Sequence, residues 1–289
     1  MQTGEYSSAT TRSLTRSFGW KDNYTKTQQD LHSFFLWFLS EACQPILKKV
    51  IDDLFVGKTR TVIYSSDSDK TIETNEIFYD LSMTVKGCQT LNESFIKYTE
   101  ADDLDGTNQY VFSPSKGPSN AKIQTKFIKI PKVLFLHLKR TEYNFKNRKT
   151  NSYFSYPSVL DISRYLDTKN QQNESTSYEL FAVTVHHGSS ATDGHYFTYI
   201  RTSRNNEWYK FNDSLVIRSS ENYAINNNFG GENYDGSLKV YSAYMLTYIQ
   251  QSQIDYIFQD VSINSIPPSL MAFKQKNKLN EKTTFLIFD

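Results

Sequence analysis

His186-His187-Gly188-Ser189-Ser190-Ala191-Thr192-Asp193-Gly194-His195-Tyr196 is the densest polar cluster of the chain. It lies between two runs, 178 to 185 and 195 to 201, whose β-branched and aromatic residues read as strands. Gly194, directly before His195, lets the backbone take an unusual turn and leaves the imidazole uncrowded. Past the second strand, Ser203-Arg204-Asn205-Asn206 reads as a turn and 207 to 211 as a third strand. This hairpin returns the chain to His195 and sets Asn212 or Asp213 beside it. A histidine oriented by an acceptor on the neighbouring strand is two-thirds of a nucleophilic triad. Successive strand residues face opposite sides, so only one of Asn212 and Asp213 reaches the ring unless the strand ends or bulges there. Asn212 can accept from Nδ1–H and fix the tautomer, without the charge stabilisation an aspartate would add. A metal site from His186, His187, His195 and Asp193 competes with this reading, but adjacent histidines on a strand point apart.

Outward from this cluster the pattern is mixed. Leu31, Phe34, Phe35, Phe38, Leu39 and Cys43 recur at spacings of three and four and make one apolar helical stripe within 28 to 54, broken or kinked at Pro45. Short β-type runs follow at Thr61–Tyr64 and Tyr79–Val85, then a short helix around Leu91–Tyr98. Residues 99 to 122 hold Gly106, Pro114, Gly117 and Pro118 and read as a loop or protrusion. Val133–Leu138 is nearly all apolar, as in a buried strand, and 242 to 250 is a further strand. These signals predict an α+β fold with an antiparallel sheet. The polar start of the chain reads as a flexible lead-in over 1–13, and 251–289 as a C-terminal extension, helical or mixed at first.

The aromatic share of 15%, with 20 Tyr and 20 Phe, argues for a packed β-rich globule and against disorder. A formal net charge of +1 gives no electrostatic grip on nucleic acid. No apolar run reaches the ~20 residues a membrane span needs, and the first residues carry no secretory signal. Cys43 and Cys88 are the only cysteines, too few for a disulfide scaffold, so a reducing compartment, cytoplasmic and/or nuclear, is the default.

The stretches Tyr178–Gly188, Asp193–Ile200 and Trp208–Asp213 together closely resemble the histidine box of the ubiquitin-specific protease family. Ala243–Tyr248 is similar to that family's closing strand, Ile130–Arg140 to its long core strand, Phe154–Pro157 to the segment after it, and Gln28-Gln29-Asp30 to the start of its glutamine box. Leu54–Lys58 and Leu104–Tyr110 match further landmarks, and Phe18-Gly19-Trp20 with Ile266-Pro267-Pro268 resemble the herpesvirus-associated branch. The resemblance places the protease domain at 14–250. It implies a papain-like cysteine protease fold with a palm carrying the sheet, β-stranded fingers and a partial helical thumb. It implies a deubiquitinase that cuts after ubiquitin's last glycine, with ubiquitin and ubiquitinated proteins as partners and no metal or cofactor.

By motif position His195 is the general base, Asn212 the third triad member and Asp213 an assisting residue. Asp30, Gln29 and Tyr196 are implied to touch ubiquitin, Asp30 facing its basic tail, with Ser33 where close relatives carry an acid. The family's nucleophile lies in an Asn-x-Gly-x-Thr-Cys box, and no such box occurs in this sequence. Its place in the family order is before Leu14, so the chain is expected to begin after its nucleophile and to be inactive alone, or to be a ubiquitin-binding scaffold. Cys43, late in a helix on an apolar stripe, reads as a small core hydrophobe; Cys88 reads as no better a nucleophile. His32 is expected at the surface and His137 in the core. The basic run from Lys139-Arg140 to Lys146-Asn147-Arg148-Lys149 reads as a solvated hairpin, beside the ubiquitin-tail cleft in relatives.

Overall fold

The near-continuous apolar run Val133–Lys139 becomes a strand buried on both sides, with Leu134, Leu136 and Leu138 fully shielded. A computed structural model describes residues 30–113, 117–141, 149–167, 175–188, 193–259, 262, 264 and 268. The chain divides into a body, Asp22–Ile257, and a second unit from its two ends, Met1–Lys21 with Phe258–Asp289. All the elements named below lie in the body. The expectations placed on Phe18–Trp20, Gln28, Gln29, Lys146–Arg148, Ile266 and Pro267 fall outside the described residues.

The predicted helical stripe folds as α1 (Leu31–Trp37), a π-helical stretch (Phe38–Ala42) and α2 (Gln44–Leu54). The break comes where expected: Pro45 lies in the first turn of α2, where its missing N–H costs nothing. The extra residue of the π stretch is marked by Cys43 N–H donating to Phe38 O at 3.0 Å.

Two sheets follow. The smaller has the order β2-β1-β5-β4, from β1 (Gly57–Ser65), β2 (Thr71–Phe78), β4 (Asp102–Leu104) and β5 (Ala121–Lys129). The larger runs β11-β10-β9-β8-β12-β6-β3, with β7 (Val159–Asp161) also on β8. Its strands are β3 (Asp80–Thr84), β6 (Val133–Lys139), β8 (Ser177–His187), β9 (His195–Arg201), β10 (Trp208–Asn212), β11 (Leu215–Ser219) and β12 (Tyr241–Gln250). The sheet is antiparallel as expected except at β3–β6, which pair in parallel. Parallel strands need a crossover, and α3 (Leu91–Thr99) with β4 and β5 of the smaller sheet lies between them in the chain. The strands β2 and β11 and the helix α4 (Glu221–Asn226) were not foreseen. Both strands are largely exposed, so neither shows a one-sided apolar pattern.

Phe127 of β5 is fully buried among Phe78 of β2 and Phe95 and Tyr98 of α3, which ties that helix to the smaller sheet. α1 lies against β6 and β12. The Phe35 and Phe135 rings are 4.3 Å apart, and Phe55 closes on the same ring at 5.7 Å. His32, expected at the surface, stacks on His137 at 3.9 Å and bonds Asp80 at 2.7 Å. A histidine on the stripe side of α1 is drawn under by its apolar neighbours.

Burial, and secondarily His32, pulls His137 down to about 4. Burial, and secondarily Lys149, does the same to His186. The unfolded chain therefore binds more protons than the folded one between pH ~4 and the ordinary histidine value of ~6.5. The stability these two groups supply is complete above that value and is lost as pH falls toward 4. Urea unfolding at pH 7 and pH 5 is expected to differ by on the order of 1–2 kcal/mol per histidine. A His186→Asn variant is expected to show a flatter pH slope than the parent.

Candidate active site

The site is built by three adjacent strands. His195, the first residue of β9, pairs in register with His187 of β8. On the other side Phe211 of β10 pairs with Thr198, which brings Asn212 level with Phe197. His195 and Asn212 are thus diagonal neighbours on one face, a spacing that long side chains bridge. The β9–β10 turn is closed by Asn206 in the left-handed region at φ 58, its Oδ1 accepting from Trp208 Nε1 at 2.8 Å. Gly194 precedes His195 because the chain passes too close for a side chain. A Cβ there would stand 2.3 Å from His187 O and 2.6 Å from His186 Nε2.

His195 Nε2 lies 2.5 Å from Asn212 Oδ1. An amide oxygen only accepts, so Nε2 carries the proton and Nδ1 keeps its lone pair. The sequence reading had the other nitrogen facing Asn212; the bonding is through Nε2. Asp213 was expected to be directed elsewhere, yet its carboxylate is 3.7 Å from the same nitrogen. The strand ends at Asn212, and Asp213 enters a two-residue turn in the left-handed region at φ 51, so strand alternation no longer applies to it. Asp213 is strongly exposed, so water screens its contact with the ring. The chemistry open to this group is proton acceptance at Nδ1, with Asn212 holding the ring.

Asp30 and Tyr196 come together elsewhere. Asp30 caps α1 by accepting from Ser33 N–H at 2.8 Å, and its other oxygen accepts from the Tyr244 hydroxyl at 2.5 Å. Burial pushes the Asp30 carboxyl up, but these two bonds outweigh it and hold it below the usual carboxylate range. The Tyr244 phenol is pushed up, by burial first and then by Asp30. Tyr196 stands 5.5 Å from the Tyr244 ring and 4.7 Å from His186. Being next to His195 on a strand, it leaves the sheet on the opposite side. Tyr244 carries no sequence signal for this contact, because 214 residues separate it from Asp30.

Neither cysteine is near His195. Cys88 follows β3, four strands from β9, roughly 19 Å at ~4.8 Å per strand. α1 starts at Tyr244 and passes His137, then Phe135. Cys43, thirteen residues past Asp30, is therefore carried about 20 Å from that start. Burial pushes both thiols up, away from thiolate.

His186 is buried while His187, one residue on, is exposed, so the four-ligand metal reading does not converge. Among the described residues His32, Asp80 and His137 do present ligand atoms within one ion's reach. Their rings, however, are stacked with planes only 18° apart. Imidazole binds metal in its ring plane at about 2.0–2.1 Å, and no point satisfies both planes. This is a hydrogen-bonded stack.

In the basic run Lys139 is exposed as expected, and Arg140 and Lys149 are not. Arg140 is fully buried and Lys149 nearly so. Arg140 donates to the carbonyls of Ala243 (2.7 Å), Ser152 (2.8 Å), Phe229 (3.2 Å) and Thr150 (3.3 Å). Lys149 Nζ donates to His186 O at 2.6 Å and Gly188 O at 3.3 Å. Irregular chain entering the interior carries carbonyls that no sheet partner satisfies, and these cations cap them. Burial pulls Arg140 to about 10, and burial with Arg140 pulls Lys149 to about 7.

A family model described as "Ubiquitin carboxyl-terminal hydrolase" matches residues 1–248. Ubiquitin carboxyl-terminal hydrolase 15 of Schizosaccharomyces pombe is 30% identical over 94% of this chain and 25% of its own length. Ubiquitin carboxyl-terminal hydrolase 7 of Caenorhabditis briggsae is 33% identical over 90% of this chain and 24% of its own. Ubiquitin C-terminal hydrolase 12 of Arabidopsis thaliana is 33% identical over 94% and 26%. The chain belongs to the ubiquitin carboxyl-terminal hydrolase family, and its helices and antiparallel sheets make the papain-like fold of the ubiquitin-specific proteases. It spans about a quarter of the length of these relatives.

At pH 8.5 the imidazole ¹⁵N shifts of His195 are expected to report a single tautomer protonated at Nε2. Asn212→Leu is expected to yield a mixture of tautomers. A pure Nδ1–H form in the unaltered chain would contradict the bonding described.

Proposed function

We propose that this chain is the base-bearing part of a thiol-dependent deubiquitinase of the herpesvirus-associated branch. The observation that carries the reading is the His195 Nε2–Asn212 Oδ1 bond, which leaves Nδ1 as the free base. In the reaction a cysteine thiolate attacks the carbonyl after ubiquitin's last glycine. His195 takes the thiol proton and returns it to the leaving amine, Asn212 keeps the ring in register, and Asp213 is the assisting residue by motif position. The nucleophile comes from a cysteine box outside the residues of this sequence, since Cys43 and Cys88 stand far from His195.

Ubiquitin conjugates are the substrates. The exposed outer strand β2 of the smaller sheet suits the fingers, and the ionised Asp30 suits the basic tail of ubiquitin; by motif position Gln29 and Tyr196 also serve ubiquitin binding. The protease domain spans 14–250, between a lead-in over 1–13 and an extension over 251–289. The branch assignment rests on Phe18-Gly19-Trp20 and Ile266-Pro267-Pro268. The setting is cytoplasmic or nuclear, where thiols stay reduced. A second reading, an inactive ubiquitin-binding scaffold, is favoured by the placement of the two cysteines alone.

With a fluorogenic ubiquitin amide, the 289-residue chain is expected to show no turnover. A longer polypeptide that adds the cysteine box ahead of it is expected to be active. His195→Ala in that polypeptide is expected to lower kcat/KM by about 10²-fold or more. Activity indifferent to His195→Ala overturns the mechanism, and no activity in the longer polypeptide favours the scaffold. The 289-residue chain is also expected to bind ubiquitin weakly, and to bind ubiquitin lacking its tail with similar affinity.

A further inference from the structure

Lys149 is an expensive residue where it stands. Its side chain is nearly buried, its neighbour across the chain is the cation Arg140, and among the described residues its partners are two carbonyls and no carboxylate. Burying an ammonium this way costs several kcal/mol unless the bonds it makes are worth having. A methionine of similar length would fill the space without that cost.

Both carbonyls belong to the approach to His195. His186 and His187 end β8, and Gly188 begins the turn toward β9. Gly188 is gripped from two further sides: its N–H donates to Val240 O at 2.8 Å, and its carbonyl also accepts from Asn151 Nδ2 at 3.5 Å. Asn151 is itself held by Ser242 Oγ at 2.7 Å. The far limb of the turn rests on the near one, for Gly194 packs on His187 O and the His186 ring, and His195 pairs with His187. A shift of the His186–Gly188 backbone is therefore passed directly to His195.

We infer that Lys149 is a positioning residue, whose ammonium clamps the carbonyls of His186 and Gly188 and thereby fixes where β9 starts and where His195 Nδ1 points. The inference rests on reading His195 as the base. The groups facing the clamp are Arg140 and His186; His186 in turn feels His187, Asp30 and Asp193. With Lys149 brought to about 7, the clamp carries its charge below neutrality and loses it above, and charge-assisted bonds weaken with it.

The test uses the isotope-labelled 289-residue chain, so it needs no turnover. From pH 6 to 8.5 the Lys149 ε-resonances are expected to titrate with a midpoint near 7, together with the Gly188 and Gly194 amides. In Lys149→Met that shared titration is expected to vanish, and amide exchange at 187, 188, 194 and 195 to quicken about tenfold or more, with exchange in β6 and β12 unchanged. In the longer active polypeptide the same substitution is expected to lower kcat at constant KM. Exchange at His195 indifferent to Lys149→Met overturns the clamp, and absence of co-titration in the unaltered chain removes its pH dependence alone. A loosened turn in a protein shown to lack protease activity leaves the clamp standing and removes the catalytic reading alone.

Discussion

The candidate site depends on the register in which β9 lies between β8 and β10. His187 opposite His195 and Thr198 opposite Phe211 put the imidazole and the Asn212 amide on one face. A slip of one residue would turn His195 to the other side of the sheet. What holds the register is mostly apolar: Val183 and Val185 are fully buried on β8, and Tyr199 and Trp208 nearly so on β9 and β10. The Thr184–Thr198 hydroxyl pair at 3.1 Å marks the same alignment on the opposite face.

Beneath that apolar frame the interior is unusually rich in charge and hydrogen bonding. Arg140 joins Ala243, Phe229 and the 150–152 segment through carbonyls alone. Arg201 of β9 pairs with Glu179 of β8 at 2.6 Å, at the strand end away from His195. Asp30 and Tyr244 tie the helix to the sheet beside the second group of site residues. Such groups lower stability relative to well-packed apolar ones, and they define geometry more sharply. Their concentration around irregular segments follows from backbone that leaves the sheet yet stays buried, where every carbonyl needs a donor.

How much was legible in the sequence divides along the same line. Strand and helix positions with a one-sided apolar pattern were readable, so β6, β8, β9, β12, α1 and α3 fall where their periodicity puts them. The His195–Asn212 pairing was readable because one short hairpin creates it. Asp213 was misjudged because alternation was carried one residue past the strand's end, into a turn that an aspartate tolerates with positive φ. Arg140 and Lys149 were misjudged because charge on a turn-like run reads as solvated. Only the fold brings unpaired carbonyls to them. The Tyr244 contact with Asp30 lay out of reach for a simpler reason, being long-range in sequence.

That last separation also has a consequence for how the protein is made. Asp30 and Tyr244 are 214 residues apart, and at ~5–20 residues per second roughly 10–40 s pass between their synthesis. Throughout that interval β12 does not exist, and α1 has only part of the surface it will pack against. Phe34, Phe35 and Leu39 then form an apolar stripe without its full cover on a chain still tethered to the ribosome. Attachment of α1 is thus completed only once β12 is made. Apolar surface exposed in this way is what chaperones generally shield, and a pause in translation before residue 241 prolongs its exposure.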